Sequence, residues 1–444
     1  MDTSKSLFLV TFSESKFAHE SDSTVWRPSI PRHESNTASL GICQGAGACY
    51  AMCMTPEPIT TTAALSALCQ RFAQADFVAI DTEFMREHTY YSDLCLVQLA
   101  TLDEAAIVDP KAEGLSLDPL LHLLNNEPVL KLVHAAGQDF EIFYNLSGRL
   151  PAPAFDTQVA AMAMGMGEQI SYQNLVEKML GISIEKGARF TDWGRRPLEP
   201  RQLSYAVGDV THLAALFPKM LEQLRRKNRG EWLDEEMARL TDPETYSIDP
   251  ETVWQRIRLP SRKLEVLGRL KAIAAWRERE AQRRNLPRGR LLKDETLADL
   301  ALTPPRNQAS LGKVRGVPAS WAENEMGAAV MRVLDAAEPL PREEMPDRGD
   351  ARPLGRRAAL VADLLKLLLK IRCDEADVAP KLVCRSDELE RLAAGERNGL
   401  PILEGWRFTM FGRDALDLVE GRLAFSVRDG QTQLTRLEPE PAQP

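Results

Sequence analysis

The sequence predicts an α/β domain with a mixed β-sheet, followed by two small all-α domains. Strand and helix patterns alternate in the first part of the patterned chain, and only amphipathic helical patterns follow. The length of 444 residues is about three times that of a typical domain, so several domains are expected. With 44% hydrophobic and 27% charged residues, the composition is that of an ordinary globular protein, with enough apolar material for several cores.

The order of the elements in the first domain predicts the kind of sheet. Three strand patterns come first, and helices and strands alternate after them. Early strands followed by alternating helices and strands are typical of a mixed sheet covered by helices, so such a sheet is expected. The predicted elements are a helix over 62–74, strands over 77–81, 95–100 and 105–109, a helix over 117–125, a strand over 129–134, and helices over 138–145, through 159, through 175 and over 201–226.

Beyond Glu231, every segment with apolar periodicity has the 3.6-residue period of a helix. The amphipathic segments lie between Leu264 and Ala394, which leaves room for two helical domains of adequate size to fold. A Pro/Arg/Asp-rich stretch between them has no such period and predicts a linker. The expected boundaries are 55–240 for the first domain, 250–338 and 355–435 for the helical domains, 339–354 for the linker and 436–444 for a disordered tail.

Residues 1–54 are rich in Ser, Thr and Gly and have no sustained period, so we expect disorder or a gene start assigned too early. Met54 opens a segment typical of a protein start, which N-terminal sequencing would test. The apolar run over 7–10 is too short for a signal-peptide core, and no window approaches the apolar length of a membrane span. Seven scattered cysteines without a CxxC pair predict reduced thiols. We therefore expect a cytoplasmic protein that does not contact membranes.

Charge is unevenly distributed along the chain. The net charge is −9, yet residues 251–315 contain 16 Lys and Arg against 7 Asp and Glu, so this segment carries +9 and the remainder −18. A basic module inside an acidic chain indicates a local site for a polyanion. Arg283, Arg284, Arg288 and Arg290 are expected to contact nucleic-acid phosphates, against the alternative that they form a solvated helix face.

Carboxylate side chains lie at the end of a predicted strand, at the start of a helix and within another helix. Asp81 and Glu83 lie at the end of the first strand with their side chains on the same face, because side chains alternate along a strand. Asp139 lies in the first turn of a helix that follows a buried strand. Tyr205 and Asp209 are four residues apart, which places them on one helix face. Each feature alone is ordinary, but two adjacent carboxylates repel unless a cation lies between them.

Together these features resemble the motifs of a known superfamily. DTEF at Asp81, HAAGQDFE around Asp139 and YAVGD around Asp209 are similar, in order and spacing, to the three exonuclease motifs of the DEDD superfamily of 3′–5′ exonucleases. The tyrosine four residues before the last aspartate resembles the tyrosine subclass. In the histidine subclass a histidine would stand where this chain has Ser204.

The surroundings of the motifs resemble the ribonuclease D family. Tyr90 and Tyr91 follow the first motif as they do in that family, and residues 259–304 and 360–391 are similar to helicase-and-RNase-D C-terminal (HRDC) domains. The resemblance covers about residues 55–435. It implies an RNase H-like exonuclease domain with a mixed sheet, followed by two all-α HRDC-type domains.

The resemblance also implies a site for two divalent metal ions. Asp81, Glu83 and Asp209 would hold the ion that activates water, and Asp81 would bridge to a second ion supported by Asp139. Carboxylate oxygens suit Mg²⁺ or Mn²⁺, and no His/Cys cluster favours zinc. Two such ions neutralise the charge that develops on the attacking and leaving oxygens of a phosphodiester. Tyr205 is expected to orient the attacking water, since a phenol is a poor base at neutral pH.

Further nucleic-acid contacts are expected near these motifs. Thr82 and Phe84 belong to the first motif, and His134 begins the second. Lys186 and Arg196 precede the helix of Tyr205. A structural hydrogen bond is the favoured alternative for His134, and a solvated surface role is equally expected for the two cations.

The resemblance implies a 3′–5′ exoribonuclease that releases 5′-mononucleotides from RNA with a 3′ tail, tRNA precursors foremost. We expect it to act as a monomer. Two alternatives stay open. A DNA-directed 3′–5′ exonuclease would use the same carboxylates, which do not read the sugar, but no polymerase or helicase motif follows them. A non-catalytic RNA-binding protein on the same fold is disfavoured, because all four motif carboxylates and the motif tyrosine are present.

Overall fold

The computed structural model describes residues 56–184, 191–345 and 355–437. The first domain contains five strands: β1 (Phe77–Met85), β2 (Asp93–Ala100), β3 (Ala105–Val108), β4 (Leu130–Val133) and β5 (Ala154–Asp156). Their order is β3-β2-β1-β4-β5, with antiparallel pairing among β1, β2 and β3 and parallel pairing among β1, β4 and β5. The predicted mixed sheet is confirmed, because the helical crossovers return β4 and β5 parallel to β1.

Helices cover both faces of this sheet because β1 is apolar on both sides. Val78 and Ile80 belong to one core, and Phe77 and Ala79 to the other. A strand buried on both faces lies in the interior of its sheet, so the end of β1 lies at the centre of the domain. The helices of this domain are α1 (Thr62–Phe72), α2 (Asp118–Leu124), α3 (Gly137–Ser147), α4 (Thr157–Ala163), α5 (Tyr172–Leu180), α6 (Pro200–Arg226) and α7 (Asp234–Leu240).

The remainder of the described chain is mainly helical, as the sequence predicts. Short 3₁₀ or π turns join the helices at Gly230–Leu233, Pro243–Thr245, Val253–Arg256, Ala319–Ala322, Arg342–Glu344, Pro401–Leu403 and Phe408–Gly412. The first helical set comprises α8 (Leu264–Arg284), α9 (Arg288–Leu291), α10 (Asp294–Leu302), α11 (Gln308–Leu311) and α12 (Glu325–Asp335). The second set comprises α13 (Arg356–Ala376), α14 (Pro380–Val383), α15 (Ser386–Ala393), α16 (Gly405–Arg407) and α17 (Arg413–Val419).

A β-hairpin that the sequence analysis did not predict follows the second helical set. Its strands are β6 (Leu423–Arg428) and β7 (Gln431–Arg436), which pair antiparallel. Asp429 and Gly430 form the turn with φ of 53° and 76°. An Asp-Gly pair with two positive φ angles is the preferred two-residue hairpin turn, because its twist matches that of the strands. The last domain is therefore helical with one added hairpin.

The two helical sets attach to the first domain in different ways. The second set shares a core with the sheet domain, in which Phe217 of α6 and Leu368 of α13 belong to one buried cluster. Arg229 spans the same junction and donates to the carbonyl oxygens of Ala163, at 2.6 Å, and Asp377, at 2.8 Å. The first set has its own core, centred on residues such as Leu270 of α8.

Several expectations fall outside the described residues. They are the disordered extension over 1–54, most of the linker over 339–354, nearly all of the tail over 436–444, and Lys186. The domain boundaries therefore stay predictions. Within the three described ranges, no helix combines the length and the apolar character needed to span a membrane.

Candidate active site

Three of the four motif carboxylates converge at the centre of the sheet. Alternation along β1 places Asp81 and Glu83 on the face that α6 crosses, and α6 brings Asp209 to them. One carboxylate oxygen from each of the three lies within 4.8 Å of the others. This spacing allows the three groups to share one cation.

Asp139 lies beside this cluster and is held from β1. The buried Thr82, which stands between the two β1 carboxylates, donates its hydroxyl hydrogen to the Asp139 carboxylate. The negative charge of Asp139 also raises the pKa of Asp81, so the two carboxylates lie close enough to repel each other electrostatically. Thr82 therefore orients Asp139. This hydrogen bond explains why a buried hydroxyl stands at position 82 even where no nucleic acid contacts it.

The turn that carries Asp139 depends on Asp156. The Asp156 carboxylate accepts hydrogen bonds from the backbone amides of Ala135, at 3.0 Å, and Ala136, at 3.1 Å. It also caps α4 by accepting from the amide of Gln158 at 2.7 Å. Ala135 has a φ of 55°, a left-handed conformation that costs energy for alanine. Asp156 therefore stabilises the strained turn that aims α3, and with it Asp139, at the cluster.

Two tyrosines contact Asp209 from different sides. The Tyr205 phenol hydrogen-bonds to the Asp209 carboxylate, as the i, i+4 spacing on α6 allows. The Tyr172 hydroxyl contacts the backbone carbonyls of Gly208, at 3.2 Å, and Asp209. The sequence analysis missed Tyr172, because its contact depends on how α5 crosses α6 and no local pattern signals that crossing.

Burial and mutual repulsion disfavour the ionised forms of these carboxyl groups. Burial raises the pKa of Asp81 well above its usual range, and the charges of Asp139, Asp209 and Glu83 raise it further. Burial also raises the pKa of Asp139 to about 6 and that of Asp209 to about 7. A cluster of this kind is unfavourable unless a cation compensates it.

The residues present fit a hydrated divalent cation. Carboxylate oxygens are the ligands that Mg²⁺ and Mn²⁺ prefer. Gln98 lies opposite Asp81 in the β1–β2 register, is fully buried, and among the described residues neither its amide oxygen nor its amide nitrogen has a hydrogen-bond partner. Such an orphaned amide beside an acidic cluster is explained by bound water or an ion. The site therefore suits divalent metal.

The raised pKa values predict how pH acts on the metal-free protein. Asp139 and Asp209 bind protons more tightly in the folded state than in the unfolded chain, so their contribution to stability is complete below pH about 4 and is lost as pH rises through 6 and 7. Saturating Mg²⁺ should therefore raise the melting temperature strongly near pH 8 and weakly near pH 5, where protons compete with the metal. Calorimetry in EDTA and in Mg²⁺ checks this. Equal shifts at both pH values would contradict it.

Most of the residues predicted to contact nucleic acid near the site have partners within the protein, and the contacts with nucleic acid stay predictions. Arg196 forms a paired contact with Asp109, at 2.6 and 2.7 Å, and donates to the Cys95 carbonyl at 2.8 Å. His134 hydrogen-bonds Thr157 at 2.9 Å, which agrees with the structural alternative. Phe84 packs against the core.

The basic HRDC-type segment shows a similar pattern. Arg283 and Arg284 both pair with Glu280 of the same helix, and Arg288 pairs with the buried Glu278. Arg290 is exposed on α9. Arg283, Arg284 and Arg288 each have an ion-pair partner within the protein, and Arg283, Arg284 and Arg290 are exposed to solvent, so the phosphate contacts of this segment stay predictions.

The fold and the site define a class of protein, the 3′–5′ exonucleases with an acidic metal-binding cluster, extended here by an HRDC domain. A family model described as 3′-5′ exonuclease matches residues 56–225, and the HRDC domain model matches residues 266–334. Both matches agree with the motifs and with the helical set that contains α8.

The chain belongs to the ribonuclease D family. It is 60% identical to ribonuclease D of Sphingobium indicum and 56% identical to that of Zymomonas mobilis, in each case over 86% of this chain and 98% of the relative. The solved structure of Escherichia coli RNase D, described as an exoribonuclease involved in structured RNA processing, matches with a TM-score of 0.69 and 26% identity. That match covers 83% of this chain and 99% of the other. The family resemblance and the fold class predicted from the sequence are confirmed.

Proposed function

We propose that this chain is a 3′–5′ exoribonuclease that removes 5′-mononucleotides from the 3′ end of structured RNA, tRNA precursors among them. The observation that carries the proposal is the convergence of Asp81, Glu83 and Asp209, with Asp139 held beside them, in a chain of the ribonuclease D family. The proposal includes a monomeric, cytoplasmic enzyme, in keeping with the free, buried thiols of Cys69, Cys95, Cys373 and Cys384.

The carboxylates have distinct proposed roles. Asp81, Glu83 and Asp209 would hold one Mg²⁺ or Mn²⁺ ion, and Asp81 and Asp139 would support a second. When bound, two divalent ions would lower the pKa of a bound water and neutralise the charge that develops on the attacking and leaving oxygens. The Thr82 hydroxyl and the Asp156 carboxylate keep Asp139 in place for this role.

Tyr205 is the residue proposed to orient the attacking water. Burial and the charge of Asp209 raise the pKa of its phenol above the usual value, so it stays protonated and cannot act as a base at neutral pH. It can hold water by hydrogen bonding at the edge of the carboxylate cluster. Water oxygen then bonds to phosphorus, the bond from phosphorus to the 3′ oxygen of the preceding nucleotide breaks, and that oxygen takes up a proton.

The HRDC region would add contacts to the RNA backbone. Arg290 and Lys293 are exposed and lie in the basic segment. Contacts to phosphate hold RNA without reading its sequence, so binding should weaken as salt rises, and each lost contact should lower the slope of log K against log salt by about 0.7 for a single strand. Lys186 and Arg196 are further proposed phosphate contacts, the second in addition to its ion pair with Asp109.

The test uses matched RNA and DNA hairpins with single-stranded 3′ tails, incubated with the full chain in Mg²⁺, Mn²⁺ or EDTA. We expect metal-dependent shortening of the RNA from its 3′ end, release of 5′-mononucleotides, and no shortening by Asp139→Asn. Faster shortening of DNA would favour the DNA-directed alternative. Binding without shortening in either metal would favour the non-catalytic one.

A further inference from the structure

The turn between β1 and β2 contacts the HRDC region directly. This turn extends the strand that carries Asp81 and Glu83, and its outer part contains Tyr90 and Tyr91. Asn285, the residue that ends α8, accepts hydrogen bonds through its side-chain oxygen from the backbone amides of Tyr90, at 3.1 Å, and Tyr91, at 3.0 Å. One side chain of the HRDC region thus holds two consecutive peptide groups of the nuclease domain.

The Tyr90 side chain reinforces this contact. Its hydroxyl donates to the carboxylate of Glu278 and accepts from Gln282, at 3.2 Å, and from Arg288, at 3.0 Å. The Arg288 guanidinium also lies 4.9 Å from the centre of the Tyr90 ring and pairs with Glu278 at 2.6 Å. Glu278 is fully buried, and a buried carboxylate is tolerated only where hydrogen bonds and a cation satisfy it. Arg288 of the same region supplies the cation, and the docked Tyr90 hydroxyl supplies a hydrogen bond from the nuclease domain.

Asn285 suits its place for two independent reasons. Its φ of 50° is left-handed, a conformation that asparagine and glycine accept at a helix end. Its amide oxygen is then free to accept from the turn. Glycine would keep the first property and lose the second, which makes Asn285→Gly a selective probe.

The same turn is also tied to the helix of Asp139. Arg86, in the turn, pairs with Glu141 of α3 through two hydrogen bonds of 2.9 and 3.1 Å. The turn therefore links two catalytic elements, β1 and α3, to the HRDC region. These contacts place Arg288 in an interface between domains, a role that the sequence analysis did not predict.

We propose that Tyr90, Glu278, Asn285 and Arg288 form a latch that docks the HRDC region on the turn extending the catalytic strand, and that this docking positions long RNA for the nuclease site. The proposal rests on the proposed exoribonuclease function and goes beyond it, because it assigns these residues a positioning role for substrates that reach the HRDC region. Substrates too short to reach that region do not depend on the latch.

The first test measures the latch without reference to activity. In Asn285→Gly, the amides over 86–92 should exchange hydrogen about tenfold faster than in the unchanged full-length chain, because the amides of Tyr90 and Tyr91 lose the oxygen that accepts their hydrogen bonds. Asn285→Asp retains the accepting oxygen and should restore slow exchange. Asn228→Gly is the matched control, because Asn228 follows the end of α6, is exposed and has a φ of 52°. Unchanged exchange in Asn285→Gly would overturn the latch.

The second test separates positioning from chemistry. Asn285→Gly should raise KM for a 3′-tailed RNA hairpin about fivefold, while kcat/KM for a dinucleotide stays within about twofold of the unchanged enzyme, because only remote binding is lost. Asn285→Asp should restore the KM. Faster exchange with an unchanged hairpin KM would show a merely structural contact and overturn the positioning role. Absence of any nuclease activity in the unchanged chain would contradict the proposed function, and the exchange test would still decide the latch.

Discussion

Asp209→Asn is expected to lower turnover by about a thousandfold or more and, at the same time, to stabilise the metal-free protein. The activity falls because asparagine has no charge to hold a divalent cation, whose neutralisation of developing charge contributes several kcal/mol. The stability rises because burial raises the pKa of Asp209 to about 7, so its ionised form destabilises the fold above that pH. We expect a gain of roughly 1–3 kcal/mol in EDTA near pH 8.

The matched control is Asp417→Asn in α17. Asp417 and Asp209 are similarly buried, with 7% and 8% of their surface exposed. Hydrogen bonds from Arg422, together with Arg436, lower the pKa of Asp417, so its ionised form stabilises the fold. Asp417→Asn should therefore lose stability and keep turnover, the reverse of Asp209→Asn. Single-turnover assays with divalent metal present measure the turnover of both variants, and thermal unfolding in EDTA measures their stability. An inactive Asp209→Asn that is also less stable would mean that the activity was lost through unfolding.

The arrangement of the site was predictable where local geometry decides it. Asp81 and Glu83 share a side because a strand alternates, and Tyr205 and Asp209 share a face because a helix turns every 3.6 residues. That these pairs meet at one point of a mixed sheet followed from the order of the motifs and their resemblance to a family. The missed hairpin also had a local signal, since Asp429-Gly430 is a preferred turn between alternating residues.

Other features depend on contacts between distant parts of the chain and left no local signal. Arg288 stands in a basic run, which is typical of a nucleic-acid contact, yet its partners are Glu278 and a tyrosine 198 positions away in sequence. The charge of a residue can be read from the sequence, but whether a carboxylate of the same protein neutralises it is decided by packing. The shared core that joins Phe217 to Leu368 is hidden for the same reason, because an apolar helix face does not specify its partner.

Tyr205→Phe is expected to lower kcat by about a hundredfold, the lower end of what a positioned proton-transfer or hydrogen-bonding group contributes. The phenol hydrogen-bonds to Asp209 at the edge of the carboxylate cluster, so its loss removes an orienting group while all four carboxylates remain. Metal affinity, measured by calorimetric titration with Mn²⁺, should therefore change by no more than a few-fold.

Tyr172→Phe makes the same chemical change behind the site rather than within it. The Tyr172 hydroxyl contacts the backbone carbonyls of Gly208 and Asp209, so its loss should cost about 1 kcal/mol of stability and leave kcat within a few-fold. If the two variants lost kcat equally, Tyr205 would act by supporting α6 and not by orienting water. If Tyr205→Phe weakened Mn²⁺ binding as much as it lowered kcat, the phenol would serve to hold the Asp209 carboxylate. Only a large loss of kcat, confined to Tyr205→Phe and with Mn²⁺ affinity preserved, agrees with a phenol that holds the attacking water.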